Sequence, residues 1–276
     1  MTTVGIATGA GRGMGNSCAQ RMVDTVDVLL LVDRDEATVT TAAEELDQAG
    51  RASTEPFVLD ITDVDGLARL AARTSELGTL RAVAHAAGIS PSMGDWRRIF
   101  EVDLIGTARL AEALRPLAST GTALVCFASM SPLLDPSVPD PTALAILDDP
   151  LDDKFLERMR ETLGVSIENS GIAYSWAKRG VHRFVQREAL RLGPAGARIC
   201  SVSPGIIATP QGKQEAEEHP IMGKLVEGSP LRRMGKAGEV AAVVAFALSD
   251  QASFLNGIDL LVDGGAYAAV QVAAGK

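Results

Sequence analysis

The sequence predicts a single α/β domain: a doubly wound, seven-stranded parallel sheet with helices on both faces. Three observations carry that reading. Short apolar runs alternate with longer stretches of helical period, the pattern of strands joined by crossover helices. A glycine-rich turn, TGAGRGMG at 8–15, sits between the first apolar run and the first helical stretch. The composition, 46% hydrophobic but only 4% aromatic, calls for a core of Ala, Val, Leu and Ile, as in buried strands under Ala-rich helices. At 276 residues, positions 1–276 fit one domain of this class.

Taken in order, strands are expected at 3–8, 26–32, 52–59, 80–86, 122–128, 197–203 and 259–262. Helices are expected at 14–24, 36–48, 64–76, 96–114, 173–192 and 239–247. Right-handed βαβ crossovers wind such a series into one sheet. Two segments break the rhythm. The first, 131–170, opens with the Pro-rich SPLLDPSVPDP and continues as one or two short helices; the second, 211–236, is polar and charged. Both follow strand ends, the ligand edge of an open α/β sheet, so 131–170 reads as an insertion and 211–236 as a substrate-side loop or lid.

Composition also excludes some classes. Lys+Arg 26 against Asp+Glu 35 leaves a net charge of −9, which disfavours a surface that tracks nucleic-acid phosphates. The start has no basic region followed by a long apolar run, and no stretch reaches membrane-spanning length, so a cytoplasmic protein without membrane association is expected. Cys18, Cys126 and Cys200 are far apart with apolar neighbours; they read as small buried hydrophobes, and no metal site is expected.

The glycine turn points to a nucleotide. Glycine permits positive φ and close approach to phosphate, and the helix N-terminus that follows offers unpaired N–H groups. Gly9, Arg12, Gly13, Met14 and Gly15 form this cradle. Asp33, ending the second strand, is placed to accept hydrogen bonds from ribose hydroxyls and to repel a 2′-phosphate, which favours NAD over NADP. Arg12 and Arg34 are the residues that would answer a 2′-phosphate, or they are solvated surface arginines. Asp60, with Ile61 beside it, lies at the same edge and either holds the adenine amino group or caps the next helix.

Tyr174 and Lys178, in YSWAK, lie one turn apart on one helical face, where a cation stabilises phenolate for general acid/base work. Ser129 and Ser131 follow the fifth strand. The set TGAGRGMG, Asp33, LDITD, Ala86-Ala87-Gly88, FEVDLIGTARL, FAS, YSWAK, SPGIIATP and RMGKAGEVAAVVAFALSDQASFLNGIDLLVDGG resembles the short-chain dehydrogenase/reductase family over essentially the whole chain. The resemblance implies a Rossmann fold, with Tyr174 as general acid/base, Lys178 binding the nicotinamide ribose, and Ser129 orienting the substrate oxygen. It also implies that Pro204, Gly205, Ile207 and Thr209 hold the nicotinamide carboxamide.

Two departures matter. His85-Ala86-Ala87-Gly88 stands where the family has Asn-Ala-Gly, losing a side-chain amide that braces the central strands, and His85 reads as structural. Asp103 stands at the family's catalytic asparagine; that asparagine acts largely through its main-chain carbonyl, which Asp retains.

From Ser129 to Tyr174 is 174 − 129 = 45 positions, roughly 30 more than the family spacing. Such an enlargement resembles the bacterial 3α-hydroxysteroid dehydrogenase/carbonyl reductase-like branch. Leu133, Leu134, Leu144, Ile146, Leu147, Phe155 and Met159 give the insertion an apolar face, suited equally to a hydrophobic substrate or to docking on the body. The resulting expectation is an NAD-dependent oxidoreductase interconverting a secondary alcohol and a ketone on a bulky, steroid- or terpenoid-like substrate. A homo-oligomer is expected, tetramer or dimer. Alternatives are a catalytically silent dinucleotide-binding sensor or scaffold, and a 3-oxoacyl-carrier-protein reductase, which Asp33 and the acidic balance disfavour.

Overall fold

Seven strands form one sheet in the order β3-β2-β1-β4-β5-β6-β7, every neighbouring pair parallel. They are β1 (Thr3–Thr8), β2 (Val28–Asp33), β3 (Ser53–Val58), β4 (Thr79–His85), β5 (Ala123–Phe127), β6 (Arg198–Pro204) and β7 (Asp259–Val262). The computed structural model describes residues 1–49, 51–135, 137–210, 212 and 220–275. All seven expected strands are present, with ends moved by one or two positions.

Side chains alternate across a strand, and here both sides are covered. Ile6, Leu30, Val83 and Leu124 enter one core, while Ala7, Leu31, Ala84 and Val125 enter the other. This two-sided burial is why the strands read as continuous apolar runs. Pro56 lies in β3, which pairs only with β2; an edge strand tolerates its missing N–H. Strand order reverses between β1 and β4, and the crevice at their carboxyl ends is the ligand position of such a sheet.

Helices α1 (Gly13–Met22), α2 (Glu36–Ala49) and α3 (Val64–Leu77) follow the first three strands. The helix expected over 96–114 is continuous in backbone direction but not in hydrogen-bond register. It is α4 (Trp96–Phe100), a π turn (Glu101–Ile105) and α5 (Gly106–Leu114). Sequence periodicity does not reveal the change, because a π turn is one wide turn inside an otherwise α-helical run.

The Pro-rich opening of the insertion holds a short helix that was not expected, α6 (Ser131–Leu134), and the stretch after it forms two short helices as expected, α7 (Pro141–Leu147) and α8 (Phe155–Leu163), followed by a 3-10 turn, Gly164–Glu168. Asp140 caps α7, its carboxylate accepting from Thr142 N and Ala143 N. Asn169 caps α9 (Ser170–Leu192) by accepting from Ile172 N at 3.1 Å, so this helix starts three positions before the expected 173.

The apolar face of α7 and α8 is turned inward. Ile146, Leu147, Phe155 and Met159 belong to the same core as Trp96, Phe100, Ala173 and Ala177, with Leu144 packed on it. Phe155 meets Phe100 edge to face at 5.5 Å. Asp148 accepts two hydrogen bonds from Arg183 at 2.7 Å and another from Arg187, clasping the insertion to α9. Of the two uses open to this face, docking is the one these residues serve. Leu133 and Leu134 on α6 stay half-buried.

In the second excursion, 211 and 213–219 lie outside the described residues, and 220–228 is helical rather than loop, forming α10 (Pro220–Gly228). The helix expected at 239–247 is α11 (Ala237–Leu248), and a final helix, α12 (Ala266–Ala273), was not expected. No helix among the described residues is long and apolar enough to cross a membrane. All three cysteines are buried, and burial pushes the Cys18 and Cys126 thiols up to about 12.

Candidate active site

The turn from β1 into α1 borders a cavity of about 400 Å³ at the carboxyl ends of β1, β2, β3 and β4. Gly13 holds φ +63 at the start of α1, a left-handed conformation glycine adopts without cost. A side chain on Gly15 would lie 2.1 Å from the carbonyl oxygen of Gly9, so that glycine lets the helix sit directly against the turn. Gly9, Arg12, Gly13, Met14 and Gly15 all line the cavity. With the first N–H groups of a helix facing it, this wall fits an anion.

Carboxylates occupy the far wall. Asp33 Oδ2 accepts from Gly11 N at 3.0 Å, joining the end of β2 to the glycine turn. Arg34 lines the same cavity and is exposed, as is Arg12. Asp60 is held at both oxygens: Oδ1 accepts from Thr62 N and Oγ1, while Oδ2 accepts from Arg98 Nη2 at 2.6 Å; the helix that follows is entered at Asp63, so Asp60 does not cap it. Its partners outweigh burial and hold its carboxyl below the usual range. Ile61, Ala86, Ala87 and Gly88 complete this side. A glycine-rich helix N-terminus on one wall and the Asp33 and Asp60 carboxylates on the other fit a dinucleotide.

The proton-handling candidates gather beside it. Lys178 is buried on α9 and donates from Nζ to the carbonyl of Phe127 at 3.0 Å, two residues before Ser129. The same Nζ lies 3.5 Å from Asp103 Oδ1 and 5.6 Å from the centre of the Tyr174 ring. Ser129 is buried, its hydroxyl accepting from Ser131 N at 3.1 Å. Asp103, in the π turn, is 1% exposed; Oδ1 accepts from Ile89 N at 2.9 Å and Oδ2 has no partner. Burial raises its carboxyl above the usual carboxylate range, against the opposing pull of Lys178 and the Ile89 N–H. A side chain on Gly88 would lie 2.8 Å from Asp103 Oδ1 and 3.4 Å from Lys178 Nζ.

The SPGIIATP segment divides. Thr209 lines the cavity, whereas Pro204 closes β6 and Gly205 lies against Asp263. The side chain of Ile207 is buried in the core, with its backbone bridged to Gly235, which leaves only main-chain groups for a ligand. Arg98 was not anticipated: it lines the cavity and grips Asp60 from 38 positions away, a separation that carries no local signal.

The model of the family described as enoyl-(acyl carrier protein) reductase matches residues 9–135 and 161–267, leaving out most of the insertion. Short-chain dehydrogenase/reductase bsc3 of Alternaria brassicicola is 33% identical over 267 residues, 95% of each chain. The chain belongs to the short-chain dehydrogenase/reductase family. Meso-2,3-butanediol dehydrogenase of Serratia marcescens is 30% identical over 272 residues, covering 95% of this dehydrogenase/reductase and 94% of that relative. A solved short-chain type dehydrogenase/reductase from Mycobacterium ulcerans matches at TM-score 0.74 and 24% identity, over 97% of this chain and 90% of the other. As a family member, the protein is an oxidoreductase of the kind that works with a nicotinamide dinucleotide.

Proposed function

We propose that this dehydrogenase/reductase interconverts a secondary alcohol and a ketone with NAD(H), on a bulky apolar substrate. The observation that carries the reading is the convergence on Lys178 of the Phe127 carbonyl, the Asp103 carboxyl and the face of Tyr174. That ammonium is fixed beside a phenol at the end of β5, where proton exchange with a substrate oxygen requires both.

When bound, the nicotinamide ring supplies the hydride acceptor or donor. In the oxidative direction the Tyr174 phenolate oxygen would take the hydroxyl proton and become the phenol; in reduction the phenol would give that proton to the carbonyl oxygen and become the phenolate. Lys178 stabilises the phenolate and reaches the ribose, Ser129 Oγ orients the substrate oxygen, and Asp103 contributes its main-chain carbonyl. The glycine turn would hold the pyrophosphate, Asp33 the adenosine ribose, Asp60 and Ile61 the adenine, and Pro204, Gly205, Ile207 and Thr209 the carboxamide. Asp33 favours NAD because a carboxylate on the cavity wall repels a 2′-phosphate.

Support for an apolar substrate rests on Leu133 and Leu134, half-buried on α6 just beyond Ser129, since the rest of the insertion's apolar face is used for docking. Exposed Phe254, Ile258 and Leu261, in and just before the edge strand β7, support a homo-oligomer. The deciding experiment follows NADH absorbance with steroid, monoterpenoid, cyclic and short aliphatic secondary alcohols, using NAD and NADP in parallel. Turnover of apolar cyclic alcohols with NAD is expected. Turnover only with NADP overturns the cofactor reading, and cofactor binding without turnover on any alcohol or ketone overturns the catalytic one.

A further inference from the structure

His85 ends β4 where the family's asparagine is missing, and it is buried between two threonines that are buried as well. Its Nδ1 lies 2.8 Å from Thr8 Oγ1 and its Nε2 lies 3.0 Å from Thr107 Oγ1. Thr8 accepts at its oxygen from Ala87 N at 3.0 Å, and Thr107 donates to the main-chain carbonyl of Asp103 at 2.8 Å. The hydrogens of this chain can be placed one by one.

A carbonyl has no hydrogen to give, so the Thr107 hydroxyl hydrogen is committed to Asp103. The Thr107 oxygen must therefore accept from Nε2–H. With that hydrogen on Nε2, a neutral ring leaves a lone pair on Nδ1, and the Thr8 hydroxyl hydrogen satisfies it. The chain then runs in one direction from Ala87 N–H to the carbonyl of Asp103 with no donor or acceptor left over. A second ring proton would orphan the Thr8 hydroxyl hydrogen in a dry site, which is costly. Burial, with Lys178 nearby, pushes the imidazole down to about 3, in agreement with a neutral ring.

The two ends of the chain matter for function. Thr8 and Ala87 line the nucleotide cavity, whereas Asp103 occupies the π turn beside Lys178. We propose that His85 is a positioning residue: as the neutral Nε2–H tautomer it ties the cavity floor at Ala87 to the main-chain carbonyl of Asp103. It thereby sets where the Asp103 and Lys178 pair stands relative to bound cofactor. This inference rests on the reading that Lys178 and Tyr174 handle the proton. His85 thus supplies, through two hydroxyls, the bracing that Ala86 cannot.

The test has two arms, one independent of turnover. Nitrogen NMR of protein labelled at histidine, with His85 assigned by its loss in His85→Gln, should show a neutral Nε2–H ring with no titration from about pH 5 to pH 8. An Nδ1–H tautomer, or a titration in that range, overturns the proposal. In the kinetic arm, His85→Leu and Thr107→Val should each lower kcat per folded molecule by about tenfold and shift its pH midpoint, with KM little changed.

The double variant should be far from additive, and His85→Gln, which keeps a donor and an acceptor, should restore part of the loss. A lowered Tm with kcat per folded molecule and pH profile unchanged means a structural histidine only, and overturns the proposal. Absence of turnover in the wild type would sink the catalytic reading instead, while an Nδ1–H or titrating ring would overturn this one independently.

Discussion

Lys178 Nζ stands 3.5 Å from Oδ1 of Asp103, while the other oxygen of that carboxyl, Oδ2, meets no donor. One buried acid therefore faces a cation on one side and nothing on the other. Among the described residues, no other buried side-chain oxygen or nitrogen is left in that condition. The arrangement gives Asp103 a cost in its charged form that an asparagine would not bear.

That cost predicts a pH signature. Burial raises the Asp103 carboxyl in the folded state, so the folded protein holds this proton more tightly than the unfolded chain. Stability from Asp103 is then fully present at acid pH and is lost as pH rises from the ordinary carboxylate range through the raised folded value. Compared with Asp103→Asn, the wild type should lose stability with increasing pH in that window, with a slope of at most about 1.4 kcal/mol per pH unit. Urea unfolding of both proteins across about pH 4 to 8 measures it. A pH-independent difference would show that the carboxyl does not carry this burden.

Tyr174→Phe removes only the phenol oxygen while keeping the ring over which Lys178 lies. Turnover should fall by about 100-fold to 10,000-fold. NADH affinity, read by fluorescence titration, should stay within about threefold of wild type.

Asp33→Ser should move cofactor choice. Removing the carboxylate deletes the repulsion of a 2′-phosphate, and exposed Arg12 and Arg34 lie on the same cavity to receive it. The ratio of kcat/KM for NADP over NAD should rise by at least about tenfold, equivalent to about 1.4 kcal/mol. No change in that ratio would remove Asp33 from the specificity argument.

Phe155→Ala separates docking from substrate recognition. The ring is 1% exposed and packs against Phe100, so its loss should destabilise the protein by about 3–5 kcal/mol. Calorimetry or urea unfolding reads the loss. KM for an apolar alcohol, measured on the folded fraction, should change by less than about threefold; a large rise would return the insertion's face to the substrate.

The parts of the site legible in sequence are those encoded locally. Strand, glycine turn and helix fall within twenty consecutive positions, 3–22, and Tyr174 and Lys178 are one turn apart, so pattern and spacing suffice. Asp33 and Asp60 are legible because strand ends converge on one edge of a parallel sheet. What escaped depends on partners distant in sequence. The π turn at Glu101–Ile105 has an ordinary helical pattern, and the grip of Arg98 on Asp60 joins residues that periodicity does not connect.

The insertion shows a different limit. Its apolar positions were identifiable, but which surface they would cover was not. Asp148 decides that outcome by binding Arg183 and Arg187 on α9, a pairing invisible in a single sequence. Likewise His85 stood out only as a departure from pattern, and its partners Thr8 and Thr107 appear only once β1, β4 and α5 are packed together.

The buried cysteines have a practical consequence. With the Cys18 and Cys126 thiols pushed up to about 12, the reactive thiolate at each is on the order of one part in 100,000 at neutral pH. Cys200 is also buried and its thiol raised. The wild-type chain is therefore close to silent toward maleimides and iodoacetamide while folded. A single cysteine introduced on an exposed helix can carry a fluorophore or spin label without first stripping the native ones, and unwanted labelling becomes a direct readout of unfolding.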